Sequence, residues 1–159
     1  MGFEIQDARN AGGDGVRGSQ ENIEVVRRAI DAFNERDLDV ALRDVDAEAE
    51  IDWSRSRGVE VGIYRGYDAC RRFWSNLIDT FDRVTVAADE FIDRGDKVVV
   101  PNRASMVGRG GIEVAARSTT VVTLRRGRIV GWTLYQETAE ALEAAGLRSH
   151  VGSGRKGGR

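Results

Sequence analysis

Residues 97–136 read KVVVPNRASMVGRGGIEVAARSTTVVTLRRGRIVGWTLYQ, and this stretch decides the fold. Its apolar and polar residues alternate with period two, the pattern of strands with one face buried. Arg109-Gly110-Gly111 and Arg125-Arg126-Gly127 interrupt the alternation as hairpin-type turns. Strands are therefore expected at 97–108, 112–124 and 128–136, with a fourth at 83–92 ahead of the turn Asp93-Arg94-Gly95-Asp96. Neighbouring strands joined by such short turns must run antiparallel.

Towards the N-terminus the period becomes helical. Cys70, Phe73, Trp74, Leu77, Ile78 and Phe81 make one wide apolar face, on which Cys70 reads as a buried, inert thiol. Ile23, Val26, Ile30 and Phe33, with Ala29 beside them, mark an earlier helix for which Ser19 is the expected N-cap. Asp37 is placed to cap a shorter helix carrying Leu38, Ala41, Leu42 and Val45. A brief strand from Ala49 to Trp53 and an irregular stretch, 54–58, lead to Ile63-Tyr64-Arg65-Gly66. Beyond the strands, a short helix from near Thr138 closes at Gly146. Helices first and a long meander after them give an α+β domain, a curved antiparallel sheet wrapped over helices. The expected domain spans 19–147. Glycine-rich composition marks 1–18 as a disordered tail, and 148–159 as a second, basic one.

A chain of 159 residues, 41% hydrophobic, suits one domain with a substantial core. Its single cysteine excludes an intrachain disulfide, and one Cys with one His cannot build the usual zinc cage. That histidine, His150, falls in the tail, away from any expected site for a Ser-His-Asp base. No metal and no resident cofactor is expected, so any catalysis would run on carboxylates, arginine, tyrosine, hydroxyls or a borrowed cofactor. All the basic residues except Lys97 and Lys156 are arginines, but acidic residues interleave with them to a net charge of −2. A nucleic-acid partner is not expected from such a balance. No apolar run approaches the ~20 residues of a membrane span, and the N-terminus has no signal-peptide core. A cytoplasmic protein with no membrane partner is the expectation.

The ordered set Phe33-Asn34-Glu35-Arg36-Asp37-Leu38, Tyr64-Arg65-Gly66 and Arg126-Gly127-Arg128-Ile129-Val130 resembles the nuclear transport factor 2-like superfamily, in particular its SnoaL-like branch. The ending Glu140 to Leu147 is also typical of that branch. The resemblance implies a cone-shaped (cystatin-like) fold around one deep pocket, and a homodimer joined through outer sheet faces. It puts Arg103, Ser118 and Leu134 on the pocket side. The expected lining is then Ile30, Phe33, Trp53, Leu77, Phe81, Val107 and Ala116, with Arg103, Ser105, Ser118, Thr120 and Gln136 as its polar groups. Ala104, Met106, Thr119, Val121, Thr133 and Tyr135 are left for the outer, dimer-forming face.

Two enzymes of that superfamily supply tests. Limonene-epoxide hydrolase uses Arg-x-Asp on the long strand and a second Asp two residues after a Trp, the pair serving as general acid and base. Here those stretches read Arg103-Ala104-Ser105 and Trp132-Thr133-Leu134, and both carboxylates are missing. Ketosteroid isomerase needs a carboxylate base on the first strand and Tyr and Asp donors, where this chain has Trp53, Ala29 and Thr120. Asp52 stands one residue from the base position, which turns it to the other face unless a bulge intervenes.

Arg103 remains as an anchor for a carboxylate, enolate or phosphate, as one half of an ion pair with Asp52 or Glu50, or as a side chain reaching the rim. Three readings follow. The chain is a pocket protein for a small, mainly apolar ligand whose acidic group Arg103 holds. Alternatively it is a lyase, isomerase, cyclase or epoxide hydrolase-like enzyme, with Arg103, Asp52 and Tyr64 as candidate catalytic residues. Or it is a non-catalytic dimerisation domain.

Overall fold

Short turns organise the sheet. The structure, a computed structural model, describes residues 2–58 and 60–147. In chain order its elements are α1 (Gly2–Asn34), α2 (Leu38–Ala41), β1 (Val45–Asp52), β2 (Ile63–Arg65), α3 (Tyr67–Thr80), β3 (Arg83–Ala88), β4 (Ile92–Arg94), β5 (Lys97–Val107), β6 (Glu113–Arg125), β7 (Arg128–Tyr135) and α4 (Thr138–Leu142). A π-helical turn, Glu143–Leu147, follows α4. The result is an α+β fold whose curved, unclosed sheet runs β2-β1-β7-β6-β5-β3, with β4 also paired to β5. Every pairing is antiparallel except β1 with β7, which is parallel.

The expected strand 83–92 is two strands. β3 ends at Ala88 and β4 starts at Ile92, both against β5. The cause is Pro101. The Asp89 N–H donates to the Pro101 carbonyl at 2.7 Å, and in an antiparallel strand a residue's N–H and C=O point the same way. Proline has no N–H to return the bond, so the ladder lapses at the gap between β3 and β4.

Helix α1 also differs from expectation. It runs through Ser19 and the glycine-bearing stretch from Gly2, so Ser19 is not its cap; once a packed turn exists, each further residue adds a hydrogen bond at little cost. The part that packs on the core begins at Ile23. Asp37 does cap α2, accepting the Val40 N–H at 3.2 Å. Gly66 opens α3 at φ 93°, a conformation that a side chain would strain.

Helices α1 and α3 fill the concave side of the sheet. Val26, Leu42, Phe73, Val98, Val100, Val122 and Trp132 meet there in the main core. A smaller core lies on the convex side, where Ala141 and Ala145 cover Val99 and Val121. The Thr119 and Thr138 hydroxyls, 2.7 Å apart, tie α4 to β6. Residues 148–159, expected to form the basic tail, lie outside the described residues. Among the described residues no helix is long and apolar enough to cross a membrane.

Candidate functional site

Helices laid across a curved sheet leave a space where their side chains do not reach its concave face. The space is a cavity of about 380 Å³, within the size range of small-molecule pockets. Its floor comes from the sheet: Asn102, Ala104 and Met106 on β5, Val114, Ala116, Ser118 and Thr120 on β6, and Trp132 and Leu134 on β7. Ala29, Ile30, Phe33, Trp74, Leu77 and Phe81 roof it. Trp53 and the segment around Ser56, Arg57, Gly58 and Glu60 complete the wall. The aromatic rings brace one another edge to face, with Trp74 5.0 Å from Phe33 and 5.5 Å from Trp132, and Trp53 5.0 Å from Phe73.

Of the residues expected at a pocket, Ile30, Phe33, Trp53, Leu77, Phe81, Ala116, Ser118, Thr120, Leu134 and Gln136 stand in this wall. Arg103, Ser105 and Val107 do not. The β5–β6 register pairs Asn102 with Ser118 and Ala104 with Ala116, and directly opposed residues share a face. Arg103 therefore pairs with Arg117 and turns to the convex side, where its side chain is 53% exposed. It forms an ion pair with Asp89 at 2.9 Å, not with Asp52 or Glu50, and Arg117 joins the same carboxylate at 3.5 Å. Glu50 is taken by Arg65 at 2.7 Å.

The same register corrects the outer face. Ala104 and Met106 line the cavity, while Thr119 and Val121 lie under α4, leaving Thr133 and a half-buried Tyr135, packed against that small core and stacked by Arg55, of the expected dimer surface. Asp52 is not in the cavity wall either. It accepts the Ser54 hydroxyl at 2.6 Å and backbone N–H at 3.0 Å, with Arg55 at 3.6 Å. Burial would raise its pKa, but these bonds and the Arg55 charge together hold it below the usual carboxylate value. Tyr64 packs its ring on Phe73 and donates its hydroxyl to Glu60 at 2.8 Å; burial, then that carboxylate, raises its pKa.

The polar groups at the centre of the floor are neutral, while Arg117, also among the lining residues, is exposed and held by Asp89. Asn102, buried, donates its Nδ2 to the Val100 carbonyl at 3.0 Å and accepts the Ser118 hydroxyl on Oδ1 at 3.2 Å. Thr120, only 4% exposed, has a buried hydroxyl oxygen with no partner among the described residues. Gln136 is engaged at the edge, donating to the Arg55 carbonyl at 2.7 Å. Among the described residues Glu60 is the one carboxylate in the wall. Among the described residues no three His, Cys, Asp or Glu side chains gather as metal ligands. Sequence reasoning did not select the apolar lining residues Trp74, Ala104, Met106, Val114 and Trp132, nor, among the polar ones, Asn102, Ser56, Arg57, Glu60 and Arg117. The signal for Asn102 was a lone amide following an apolar run, Val98 to Pro101. Nothing comparable marks Glu60.

Comparison with known proteins agrees with this architecture. A sequence model of the SnoaL-like domain matches residues 26–132. No curated protein matches the chain. Among solved structures, an NTF2-like protein of unknown function from Burkholderia pseudomallei superposes with a TM-score of 0.64 at 24% identity, covering 77% of this chain and 95% of that one. A putative SnoaL-like polyketide cyclase from Jannaschia sp. CCS1 gives 0.65 at 19%, covering 82% and 94%. SalBIII, an epoxide hydrolase/cyclase-like enzyme of pyran ring formation in the polyether salinomycin, gives 0.63 at 21%, covering 76% and 93%. At these identities the structural likeness speaks for the fold.

Proposed function

The chain belongs to the SnoaL-like domain family, and on that premise we propose that its cavity binds a small, mainly apolar molecule bearing a neutral polar group. The observation that carries this reading is the uncharged floor cluster, Asn102, Ser118 and Thr120, set among mainly aromatic and aliphatic lining residues. An acidic group has no cation in that cluster to hold it. Arg57 and Arg117 both stand among the lining residues, but both are exposed and Arg117 is paired with Asp89, and an exposed guanidinium contributes little to binding. The acid-binding role expected of Arg103 is withdrawn with the residue.

Filling the chamber tests the reading. Ala116→Trp is expected to leave the far-UV circular dichroism and the cooperative unfolding intact while abolishing calorimetric binding of small aromatic or terpenoid compounds. Undiminished binding by that variant would sink it.

One observation favours a second reading, an enzyme of the lyase, isomerase, cyclase or epoxide hydrolase-like kind. Glu60 stands in the wall with its carboxylate held by Tyr64, the arrangement of a base and its positioning residue. A turnover lost in Glu60→Gln with affinity preserved would support it. A cytoplasmic homodimer remains part of the proposal in either case. What is left of the convex face for it includes Thr133, Tyr135 and the Arg103–Asp89–Arg117 group. Sedimentation velocity tests that, and a monomer at micromolar concentration would remove it.

A further inference from the structure

The floor cluster has a direction. A backbone carbonyl can only accept, so the bond to the Val100 carbonyl fixes which end of the Asn102 amide is the NH₂. Its Oδ1 then faces Ser118, and the Ser118 hydroxyl must spend its only proton there. Towards the cavity Ser118 therefore offers lone pairs alone. Thr120 is in the opposite condition. Its cross-strand neighbours on the same face are Val100 and Leu134, which have no polar side-chain atom, and its hydroxyl proton is uncommitted.

Ser118 and Thr120 are two residues apart on one face of β6, so their Cα atoms lie about 6.7 Å apart. A single oxygen between them can sit about 2.8 Å from each hydroxyl. The Thr120 oxygen is fully buried as it stands, and one staggered step of χ1, which exchanges the hydroxyl with its methyl, presents it to such a ligand.

Resting on the proposed binding function, we infer that the cavity recognises a ligand hydroxyl, that of a phenol, enol or alcohol. That hydroxyl donates its proton to Ser118 and accepts the proton of Thr120. A ketone, ether or carboxylate has no proton for Ser118 and sets its lone pairs against those of the serine. The arrangement selects against an acceptor-only analogue of the same shape, because the buried serine oxygen would lose water and gain nothing. The unpaired Thr120 hydroxyl makes the empty protein less stable than it need be, and the ligand relieves that cost.

The test uses three probes of one shape, thymol, thymol methyl ether and cymene, titrated calorimetrically into the full chain. Thymol is expected to bind about tenfold more tightly than its methyl ether. Ser118→Ala and Thr120→Val should each narrow that ratio towards one. Thr120→Val should also raise the melting temperature of the unliganded protein, a gain that a variant damaging the fold would not give. Equal affinities for all three probes would overturn the inference and leave the apolar chamber standing. Binding of none of them would overturn the chamber as well. A thymol preference that survives in Thr120→Val and Ser118→Ala would place the recognition elsewhere and also overturn it.

Discussion

On β5 and β6 the concave face carries Asn102, Ala104, Ala116, Ser118 and Thr120, all uncharged, whereas the convex face, one residue along, carries Arg103 and Arg117 converging on Asp89. The two sets alternate along the same strands, so a one-residue change of register would exchange them. The difference teaches that the ligand chemistry of this fold is set by pairing as much as by composition. A chamber floored by Arg103 would select acids. The floor that the register builds has an uncharged centre.

Four measurements sharpen or break this contrast. The largest effect belongs to the concave side, whose aromatic wall rests on Phe73, 0% exposed and against Trp53, Tyr64 and Trp74. Phe73→Ala is expected to cost about 3–5 kcal/mol in urea denaturation. A loss under about 1 kcal/mol would mean that the wall is not held by packing.

Next comes Cys70, buried on the same side beneath the Ala49 carbonyl. Burial pushes its thiol up from 9.0 to about 11. The unfolded chain releases that proton first, so the thiol's contribution is complete below pH 9 and is lost as the pH climbs towards 11. Wild type should lose on the order of 2 kcal/mol across that interval relative to Cys70→Ala. Parallel stability profiles of the two proteins would refute the burial argument. On the convex side, Thr119→Val deletes the hydroxyl contact with Thr138 and should cost about 1 kcal/mol, read as a shift in the thermal midpoint.

The smallest effect is the most pointed. Arg103→Leu should change stability by no more than about 0.5 kcal/mol, because its ion pair with Asp89 is half exposed. It should also leave calorimetric binding of thymol untouched. A marked loss of binding would put Arg103 back in the chamber and collapse the distinction between the faces.

Sequence patterns carried the architecture further than the site. The helical period of Cys70, Phe73, Trp74, Leu77 and Ile78 located α3, and glycine-bearing turns located the hairpins, because both signals are local. Alternation sorted β6 and β7 into two faces, and the family resemblance chose the faces of Ser118 and Leu134 for the pocket side. On β5 the alternation fails at the decisive place. Val98, Val99 and Val100 are all buried, two of them under the main helices and Val99 under α4, so period two gives no face to start counting from. The other clue, the hairpin between β5 and β6, is set by a 3₁₀ turn at Arg109–Gly111 with Gly110 and Gly111 both at positive φ. One residue more or fewer in that loop would set Arg103 opposite Ser118 or Ala116 in place of Arg117. Tertiary pairing, which no short window contains, decided the matter. Glu60 was invisible for a related reason, since only the return of its loop to Tyr64 brings it to the wall.

The wall has an optical consequence. The chain has three tryptophans, and Trp53, Trp74 and Trp132 all border the cavity. Their indoles stand within energy-transfer distance of one another, with ring centroids 6.2 Å apart for Trp53 and Trp74 and 5.5 Å for Trp74 and Trp132. Light absorbed by any one of them is shared among reporters that touch the same space. The emission colour of the unlabelled protein is therefore a reading of how wet that space is, and a molecule entering it announces itself without a dye.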